Sequence, residues 1–339
     1  MITTITLNAS IDKAYSMDRE IENGTVMRVA SIHNSAGGKG LNVARVIRLC
    51  KEDVLASGLV GGYNGKYLEA LLDQDGIRHD FDHIEGETRS CINILDKTFG
   101  STEYLEPGCE VSKEEEEKFL SRFPGIIKDS SVVTISGSVP RGMSKDIYQK
   151  MIAMAKDAGK QVILDTSGEL LKKGMQACPA VVKPNKDEME MLFQVKIRGM
   201  EDVIVHAEKI AEKGIGYVVV SLGGDGALMV CKDGIFHGKP PKVTVVNTVG
   251  CGDSMVGALA VALHRKYDAK KALQFAVAVA TANAMTPNTG DFEPEVCEKL
   301  VGEVKIEDVC VGGMKAENVQ AVEVKAEAIS SGKKKREGD

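Results

Sequence analysis

One glycine turn in the chain combines an anion-binding backbone with an acidic side chain. A β-branched run at 243–246 leads into Asn247-Thr248-Val249-Gly250-Cys251-Gly252-Asp253, and an apolar helix-like segment, Met255 to Leu263, follows. Two glycines allow backbone N–H groups to converge at a helix N-terminus, where the dipole favours an anion. Repulsion would exclude an acid from a site that only binds an anion. An acid is favoured there when it accepts a proton while a phosphoryl group arrives, so the turn predicts a kinase.

A second glycine cluster, Gly37-Gly38-Lys39-Gly40, also opens a predicted helix and carries polar side chains. Its backbone offers further anion donors, and Lys39 and Asn42 can reach a polyhydroxy or phosphorylated ligand. A tight turn that only packs the helix on a sheet explains the same residues. The cluster is not a Walker A loop, because Gly40 occupies the position where Ser or Thr would bind magnesium.

Three further polar residues stand near predicted strand or helix ends, and each has two interpretations. Asp12 follows the first predicted strand, where it would bind sugar hydroxyls or cap a turn. Arg89 would bind a phosphate in a bidentate manner or remain solvated. Glu188 would lie in the first turn of a helix, either near metal-bound water or as an acid that stabilises the helix dipole. Residues 221–226, Ser-Leu-Gly-Gly-Asp-Gly, predict a hairpin that would also leave room beside a nucleotide.

The bulk composition is that of an ordinary globular protein without a basic surface. The chain has 339 residues, of which 43% are hydrophobic and 27% charged, and its formal net charge is −6. This charge provides no attractive field for nucleic acid or for an anionic membrane. Any phosphate-bearing ligand must therefore be held by local arginine, lysine and backbone groups.

The cysteines and histidines indicate neither a disulfide framework nor a metal centre. The eight cysteines, at positions 50, 91, 109, 178, 231, 251, 297 and 310, show no Cys-x-x-Cys spacing, and the six histidines are dispersed. Reduced thiols are typical of a cytoplasmic protein. The N-terminal residues lack the basic start and apolar core of a signal peptide, and no run is long enough to span a membrane. We therefore expect a soluble cytoplasmic protein.

Short β-rich runs alternate with longer helical patterns over most of the chain. The predicted strands are Ile2–Asn8, Val54–Leu59, Val132–Ser136, Gln161–Leu164, Ala180–Lys183, Tyr217–Ser221 and Ala227–Val230. The predicted helices are Leu41–Leu49, Lys66–Gln74, Lys113–Phe123, Lys145–Ala158, Asp187–Phe193, Asp202–Glu212, Ser254–Tyr267 and Lys270–Met285. Several strands are continuously apolar, as in a parallel sheet with both faces covered. The alternation predicts an α/β, three-layer fold with ligands at the carboxyl ends of the strands.

Two regions interrupt this alternation, and the C-terminal end differs from both. Residues 9–35 and 85–108 alternate apolar and polar residues without convincing helices, and they predict a small projecting β-sheet, or lid. Residues 325–339 are largely polar and charged and include Lys333-Lys334-Lys335-Arg336. This basic run is either a nucleic-acid tail or a solvated, disordered end, and its terminal position favours the disordered end.

The order of these motifs resembles that of the ribokinase (phosphofructokinase-B) family of sugar kinases, in the branch that holds 1-phosphofructokinase and tagatose-6-phosphate kinase. Nine segments match in order: Thr6-Leu7-Asn8-x-x-Ile11-Asp12, Gly37-Gly38-Lys39-Gly40-Leu41-Asn42-Val43-Ala44-Arg45, Gly86-Glu87-Thr88-Arg89, Ser136-Gly137-Ser138-Val139-Pro140, Ile163-Leu164-Asp165-Thr166-Ser167-Gly168, Lys183-Pro184-Asn185-x-x-Glu188, Val220-Ser221-Leu222-Gly223, Val249-Gly250-Cys251-Gly252-Asp253-Ser254 and Ala284-Met285-Thr286-Pro287. Together they are specific, whereas any one alone would not be. The resemblance implies a ribokinase-like αβα sandwich over residues 1–310, and the C-terminal extension at 311–339 has no counterpart in it.

The resemblance also implies ATP-dependent phosphorylation of a sugar hydroxyl, with Mg²⁺ carried by the nucleotide. Asp253 matches the catalytic base, and Gly250, Cys251 and Gly252 match the anion hole. The positions associated with the sugar or its phosphate are Asp12, Gly38, Lys39, Asn42, Arg89 and Ser138, with Arg28 in the lid as a further candidate. The positions associated with the nucleotide are Lys183, Asn185, Ser221, Gly223, Gly226 and Asn283. Glu188 and Asp165 would order magnesium and its waters.

The resemblance implies a class of substrate and a homodimer that forms through the lid. An already phosphorylated ketohexose is favoured, since Arg89, Lys39 and Arg28 would converge on a phosphate. Tagatose 6-phosphate and fructose 1-phosphate are the leading candidates, and fructose 6-phosphate is the alternative. Two residues depart from the family pattern: Ala9 replaces a proline, and Cys251 replaces an alanine and is either oxidation-sensitive or an inert small residue.

Two other classes of function compete with a kinase. A nicotinamide dehydrogenase would need a Gly-x-Gly-x-x-Gly fingerprint after a strand, and the sequence contains none. A catalytically silent sugar-phosphate sensor should lack the catalytic acid, yet Asp253 and its whole turn are intact. The kinase is therefore favoured.

Overall fold

A computed structural model of the chain describes residues 1–96 and 100–309. The predicted extension at 311–339, the basic run at 333–336 and the thiol of Cys310 lie outside the described residues. Within them, no helix has both the length and the apolarity needed to cross a membrane.

Two β-sheets organise the described part of the chain. Its strands are β1 (Ile2–Thr6), β2 (Ser10–Ser16), β3 (Ser31–Gly37), β4 (Val54–Gly61), β5 (Arg78–Ile84), β6 (Arg89–Asp96), β7 (Gly100–Leu105), β8 (Val132–Ser136), β9 (Gln161–Asp165), β10 (Val181–Val182), β11 (Tyr217–Ser221), β12 (Ala227–Cys231), β13 (Gly234–Lys239) and β14 (Lys305–Asp308). The large sheet has the order β14-β13-β12-β11-β10-β9-β8-β1-β4-β5, and the small sheet has the order β3-β2-β6-β7. The strands from β11 to β5 of the large sheet pair in parallel, whereas β12, β13 and β14 add an antiparallel edge.

Helices cover both faces of the large sheet. They are α1 (Lys39–Leu49), α2 (Gly62–Gln74), α3 (Lys113–Ile126), α4 (Ile147–Asp157), α5 (Gly168–Gly174), α6 (Lys186–Phe193), α7 (Met200–Ala211), α8 (Cys251–His264), α9 (Ala269–Ala284) and α10 (Pro294–Glu303). Adjacent strand residues point into opposite cores: Val181 packs in the core of α1, α8 and α9, and Val182 in the core of α3, α4 and α7. The predicted three-layer αβα fold is therefore confirmed.

The elements that sequence patterns did not predict include both edges of the large sheet. Each predicted strand and helix is present, with bounds that differ by a few residues. The edge strands β5 and β14 have no predicted counterpart, because their charged residues hide the apolar pattern of a strand. In β5, Asp80 and Asp82 form ion pairs of 2.8 Å with Arg122. The β-branched run at 243–246 is not a strand, because the N–H of Val246 donates 2.7 Å to the carbonyl of Ala284 at the end of α9.

The small sheet is built from the two regions that interrupt the alternation. β2 and β3 come from the first region and β6 and β7 from the second, with β3 continuing to Gly37. β2 pairs in parallel with β6, so that Ser10 lies beside Arg89 and Asp12 beside Cys91. These four side chains line a cavity that also contains the first residue of α1. One face of the small sheet thus stands over the carboxyl edge of the large sheet.

Candidate active site

Two adjoining cavities lie at the carboxyl edge of the large sheet. The first, of about 900 Å³, is lined by the turn at 221–226 and by apolar residues of α9, and we call it the glycine-lined cavity. The second, of about 860 Å³, lies under the small sheet and contains Asp12, Lys39, Arg89 and Asp253; we call it the charged cavity. Asn185, Ser221 and Gly252 line both cavities. A ligand in one cavity can therefore meet a ligand in the other.

The predicted glycine turn begins α8 between the two cavities. Gly250 is the N-cap residue, and its φ of 82° lies in the left-handed region that favours glycine. An added Cβ would also lie 2.5 Å from Cγ2 of Thr289, so a side chain cannot be accommodated without movement. The first turn of a helix leaves N–H groups without intrahelical acceptors, and here they belong to the segment that includes Gly252 and Asp253. The turn has the geometry of an anion site.

Asp253 is almost enclosed and faces the charged cavity. It is 7% exposed, and its Oδ2 accepts a 2.8 Å hydrogen bond from Nδ2 of Asn42 on α1. Burial raises the pKa of Asp253 to about 6, although Lys39 and the bond from Asn42 oppose the rise. A carboxyl group with this pKa is ionised at neutral pH and is basic enough to accept a proton. Asp253 can therefore accept a proton from a ligand in the charged cavity.

Asp165, at the end of β9, binds two lysines. Its Oδ2 lies 3.2 Å from Nζ of Lys39, and its Oδ1 lies 3.2 Å from Nζ of Lys183. Burial acts to raise the pKa of Asp165, but Lys183 and Lys39 outweigh it and lower that pKa. Asp165 in turn raises the pKa of Lys39. The carboxylate that was expected to order magnesium waters is thus occupied in positioning two cations.

Lys183 belongs to the charged cavity, although the resemblance associates it with the nucleotide. It is 4% exposed and lines the charged cavity. Its Nζ lies beside the glycine turn, 3.5 Å from the place where a Cβ of Gly252 would stand. The cation is therefore next to the anion site rather than within the glycine-lined cavity.

Asp12 and Arg89 reach the charged cavity from the small sheet. Oγ of Ser10 donates a 2.6 Å hydrogen bond to Asp12, and burial raises the pKa of Asp12. The guanidinium of Arg89 donates through Nε and Nη2 to the carbonyl of Asn8, at 3.2 and 3.0 Å, and through Nη1 to that of Glu106, at 2.7 Å. These bonds make Arg89 part of the cavity wall, so the solvated interpretation does not apply.

Three other predicted sugar-site residues differ in their placement. Gly38, with a φ of 103°, precedes α1 and lines the charged cavity. Ser138 is exposed, and its Oγ accepts a 3.1 Å hydrogen bond from Nδ2 of Asn8. Arg28 is exposed in the loop between β2 and β3. Of these three described residues, Gly38 lines a cavity, whereas Ser138 and Arg28 line neither of the two cavities.

The turn between β11 and β12 shapes the glycine-lined cavity. Gly223 and Gly226 have φ values of 61° and 85°, and Ser221 pairs with Ala227 at the end of the hairpin. A Cβ on Gly226 would overlap the carbonyl of Gly238. The hairpin interpretation of residues 221–226 is confirmed, and the backbone of the turn lines a cavity, while its place beside a nucleotide stays a prediction.

Asn185 and Glu188 form a capping box at the start of α6. Oδ1 of Asn185 accepts 2.8 Å from the N–H of Glu188, and the carboxylate of Glu188 accepts 2.9 Å from the N–H of Asn185. Glu188 is 9% exposed. Glu188 therefore stabilises the start of α6, as the helix-end interpretation predicts, and one of its carboxylate oxygens accepts the capping hydrogen bond.

Asn283 lies behind the glycine turn rather than in the wall of the glycine-lined cavity. Its side chain is completely buried, and Oδ1 accepts from Oγ of Ser254, at 3.0 Å, and from the N–H of Gly290, at 2.8 Å. Nδ2 donates 3.1 Å to the carbonyl of Val249. The residue expected to line the nucleotide site instead ties the turn to the segment at 289–291.

Cys251 sits in the first turn of α8 and lines the glycine-lined cavity. Its N–H donates 3.3 Å to the carbonyl of Thr248, and its Sγ lies 3.4 Å from Nδ2 of Asn283. Burial raises the pKa of the thiol, which disfavours the reactive thiolate. The inert interpretation of this cysteine is the one that the structure supports.

Sequence reasoning assigned no role to Arg45, although it lines the charged cavity. Its Nη1 donates 3.2 Å to Oδ1 of Asn42, the residue whose amide bonds to Asp253. The spacing in the sequence could have indicated this contact, because Arg45 follows Asn42 by three residues on α1 and both lie on one face of the helix.

Comparison with known proteins identifies the family of the chain. The pfkB family of carbohydrate kinases matches residues 5–296. The tagatose-6-phosphate kinase of Staphylococcus epidermidis is 35% identical over 312 residues, which are 91% of this chain and 100% of the relative. Phosphofructokinase-2 from Escherichia coli, in complex with potassium, has a TM-score of 0.84 at 29% identity, over 89% of this chain and 98% of that one. A possible 1-phosphofructokinase from Thermotoga maritima has a TM-score of 0.82 at 26% identity, over 91% and 99%. This chain belongs to the pfkB family of carbohydrate kinases.

Proposed function

We propose that this carbohydrate kinase transfers the γ-phosphoryl group of ATP to a hydroxyl of a ketohexose phosphate, tagatose 6-phosphate or fructose 1-phosphate, and forms the bisphosphate. The observation that carries the proposal is the place of Asp253, which is buried at the start of α8 where the two cavities meet, with a pKa of about 6. The identity to a tagatose-6-phosphate kinase and the likeness to a possible 1-phosphofructokinase support the class of substrate.

Asp253 would act as the general base. One oxygen, Oδ2, is held by Asn42, which leaves Oδ1 for the substrate hydroxyl. The carboxylate takes the hydroxyl proton as the oxygen of the sugar bonds to the γ-phosphorus, and the bond to the β-phosphate oxygen breaks to release ADP. Its raised pKa makes the proton transfer more favourable than it would be to an exposed aspartate.

The backbone at residues 250–252 would form the anion hole for the transferring group. The N–H donors at the start of α8 are fixed before the reaction, because Gly250 is packed on Thr289 and Asn283 holds the turn from behind. Nζ of Lys183 adds a positive charge beside Gly252. Donors held in place in this way stabilise developing charge, each by about 3 kcal/mol.

The residues present fit a magnesium ion that arrives with the nucleotide. Mg²⁺ usually keeps several waters and binds to one or two carboxylates and to phosphate oxygens. In the described ranges, 1–96 and 100–309, no three His, Cys, Asp or Glu side chains form a ready cage. Glu188 would hold the ion through water, since one of its oxygens is used in the cap of α6 and Asp165 is neutralised by lysines. When bound, the ion would offset the negative charge of the phosphates.

The two cavities would divide the two substrates between them. The glycine-lined cavity would take the nucleotide, with its phosphates towards the shared residues Asn185, Ser221 and Gly252. The charged cavity would take the sugar phosphate. Arg89 has five N–H donors, and three are used in the cavity wall, so two are left for a phosphate. Asp12 would accept hydrogen bonds from sugar hydroxyls.

We also propose that two copies of the chain pair through the small sheet. Its face away from the charged cavity carries Tyr15, Ile32, Ile94 and Tyr104, which the strand register places on one side. Ile32 is 56% and Tyr104 60% exposed, which leaves apolar area for a partner. Sedimentation analysis should give a dimer that Tyr104→Glu converts to a monomer. A wild-type chain that sediments as a monomer at micromolar concentration would contradict this assembly.

A coupled ADP-release assay across tagatose 6-phosphate, fructose 1-phosphate, fructose 6-phosphate and ribose tests both the reaction and the substrate. We expect the highest kcat/KM with tagatose 6-phosphate or fructose 1-phosphate. Preference for fructose 6-phosphate would replace the proposed substrate by the 6-phosphofructokinase alternative. ATP binding without turnover on any of these sugars would indicate a sensor instead of an enzyme.

A further inference from the structure

Arg45 is held more firmly than a surface arginine. Its side chain is 15% exposed, and its guanidinium makes four hydrogen bonds that use all three nitrogens. The acceptors are Oδ2 of Asp75, at 3.3 Å, Oδ1 of Asn42, at 3.2 Å, the carbonyl of Thr289, at 3.1 Å, and the carbonyl of Ala36, at 2.9 Å. One side chain thus joins α1, the segment after α2, the end of β3 and the segment after α9.

The bond to Asn42 determines which end of that amide meets Asp253. An asparagine amide has an acceptor end and a donor end of nearly equal size. A guanidinium is only a donor, so it can bond to Oδ1 and repels the NH₂ end. With Oδ1 of Asn42 on Arg45, Nδ2 must point to Oδ2 of Asp253, as observed at 2.8 Å. The reversed amide would face the carboxylate with an oxygen and would lose both bonds.

The bond to Thr289 supports the same site from a second side. Thr289 packs on Gly250, where an added Cβ would lie 2.5 Å from its Cγ2, and Gly290 packs on Asn42. The N–H of Gly290 is held by Asn283. Arg45 therefore fastens the segment that backs the glycine turn, in addition to the amide that bonds the catalytic carboxylate.

From these contacts we infer that Arg45 is a positioning residue for phosphoryl transfer: it fixes the orientation of the Asn42 amide on Asp253 and holds Thr289 against the glycine turn. This inference rests on the proposed role of Asp253 as the base. Arg45 does not itself need to touch either substrate. Loss of the guanidinium should therefore lower kcat and leave the KM for ATP nearly unchanged.

The experiment compares Arg45→Ala, Arg45→Lys, Asn42→Ala and the double variant Asn42→Ala/Arg45→Ala. We expect Arg45→Ala to lower kcat by about 10- to 100-fold, the range found when a reacting group is misplaced, with the KM for ATP within about twofold. Because Arg45 acts through Asn42 as well as through Thr289, the double variant should lose clearly less kcat than the product of the two single losses. Arg45→Lys keeps the charge beside Asp75 but cannot reach all four acceptors, so it should fold and still lose about tenfold in kcat.

Arg265→Ala is the matched control. Arg265 also joins α8 to the end of α1, through bonds to Glu52, at 2.7 Å, and to the carbonyl of Cys50, at 2.8 Å, but at the opposite end of these helices. It should lose stability without losing kcat. Wild-type kcat in Arg45→Lys, or effects of Asn42→Ala and Arg45→Ala that multiply in the double variant, would overturn the inference. Asp253→Asn is assayed in parallel: if it remains active, the proposed base is wrong, whereas an inactive Asp253→Asn with normal Arg45 variants refutes only the positioning role.

Discussion

The two cavities are formed by different kinds of groups. The charged cavity is built from ionised side chains that hold one another in place, such as Asp165 between Lys39 and Lys183. The glycine-lined cavity is built from backbone and small apolar residues, such as the turn at 221–226 and Ala280 on α9. The difference shows that charge–charge contacts fix the side chains of the charged cavity, whereas backbone conformation fixes the shape of the glycine-lined cavity. Substitutions in the charged cavity should therefore change charge interactions, whereas substitutions in the glycine-lined cavity should change the space available to a ligand.

The largest expected effect on stability comes from breaking the buried charge cluster of the charged cavity. Lys183→Met leaves Asp165 with one lysine, and removing one member of a buried ion pair typically costs about 3–5 kcal/mol. Urea unfolding should show a loss of about 4 kcal/mol. Lys196→Met removes an exposed pair with Glu190 that is shorter, at 2.7 Å against 3.2 Å for Lys183 and Asp165, and it should cost far less. Equal losses in the two variants would mean that burial of the cluster has no energetic consequence.

A second effect should have the opposite sign, because Asp253 is held in an unfavourable state. A pKa raised from 3.8 to about 6 corresponds to about 3 kcal/mol in favour of the neutral form of the folded protein. Asp253→Asn should therefore be more stable than the wild type by about this amount at pH 7. The difference should shrink as pH falls from 6 through 3.8, because below pH 3.8 the wild-type carboxyl is neutral in both the folded and the unfolded state. Thermal unfolding across this pH range measures it, and a variant less stable than the wild type at pH 7 would be the contrary result.

Arg89 tests whether the charged cavity recognises the phosphate of the sugar. Arg89→Ala should raise the KM for the sugar phosphate by about 10- to 100-fold, since hydrogen bonds to charged groups contribute about 1.5–3 kcal/mol. The KM for ATP should change by less than about twofold, because Arg89 does not line the glycine-lined cavity. Steady-state kinetics with each substrate varied in turn measure both values. An increase confined to the KM for ATP would reverse the assignment of the two cavities.

Ala280→Leu makes the smallest change and acts on the glycine-lined cavity alone. Ala280 is 8% exposed and lines that cavity, so the added carbons would occupy space that the proposed nucleotide site needs. The KM for ATP should rise by about tenfold, and the KM for the sugar phosphate should stay the same. Isothermal titration with ATP provides an independent value. Unchanged nucleotide affinity would show that the nucleotide does not enter this cavity.

Side-chain chemistry made the charged cavity more predictable from sequence than the glycine-lined cavity. Asp12, Lys39, Arg89 and Asp253 stand in short motifs beside strand or helix ends, and the structure brings all four to one cavity. The parallel sheet explains this, since its strands end at one edge.

The remaining positions depend on contacts between distant segments, which a single sequence does not reveal. Arg45 bonds to Thr289, and Asn283 bonds to Gly290 and Val249, so their roles follow from how α1, α8 and α9 pack together. The sequence position of Glu188 fits a metal site and a helix end equally well, and only the structure shows that its carboxylate caps α6. Edge strands such as β5 and β14 carry charges that conceal them.

The kcat of Asp253→Asn, measured with both substrates saturating, tests the central claim most directly. The amide preserves the size of the side chain and cannot accept the hydroxyl proton, so kcat should fall by about 10²- to 10⁴-fold. The KM values for ATP and for the sugar phosphate should remain within about threefold of the wild-type values, because the substitution leaves the shape of both cavities unchanged. A kcat within threefold of the wild type in a folded variant would contradict the claim that Asp253 is the base between the two cavities.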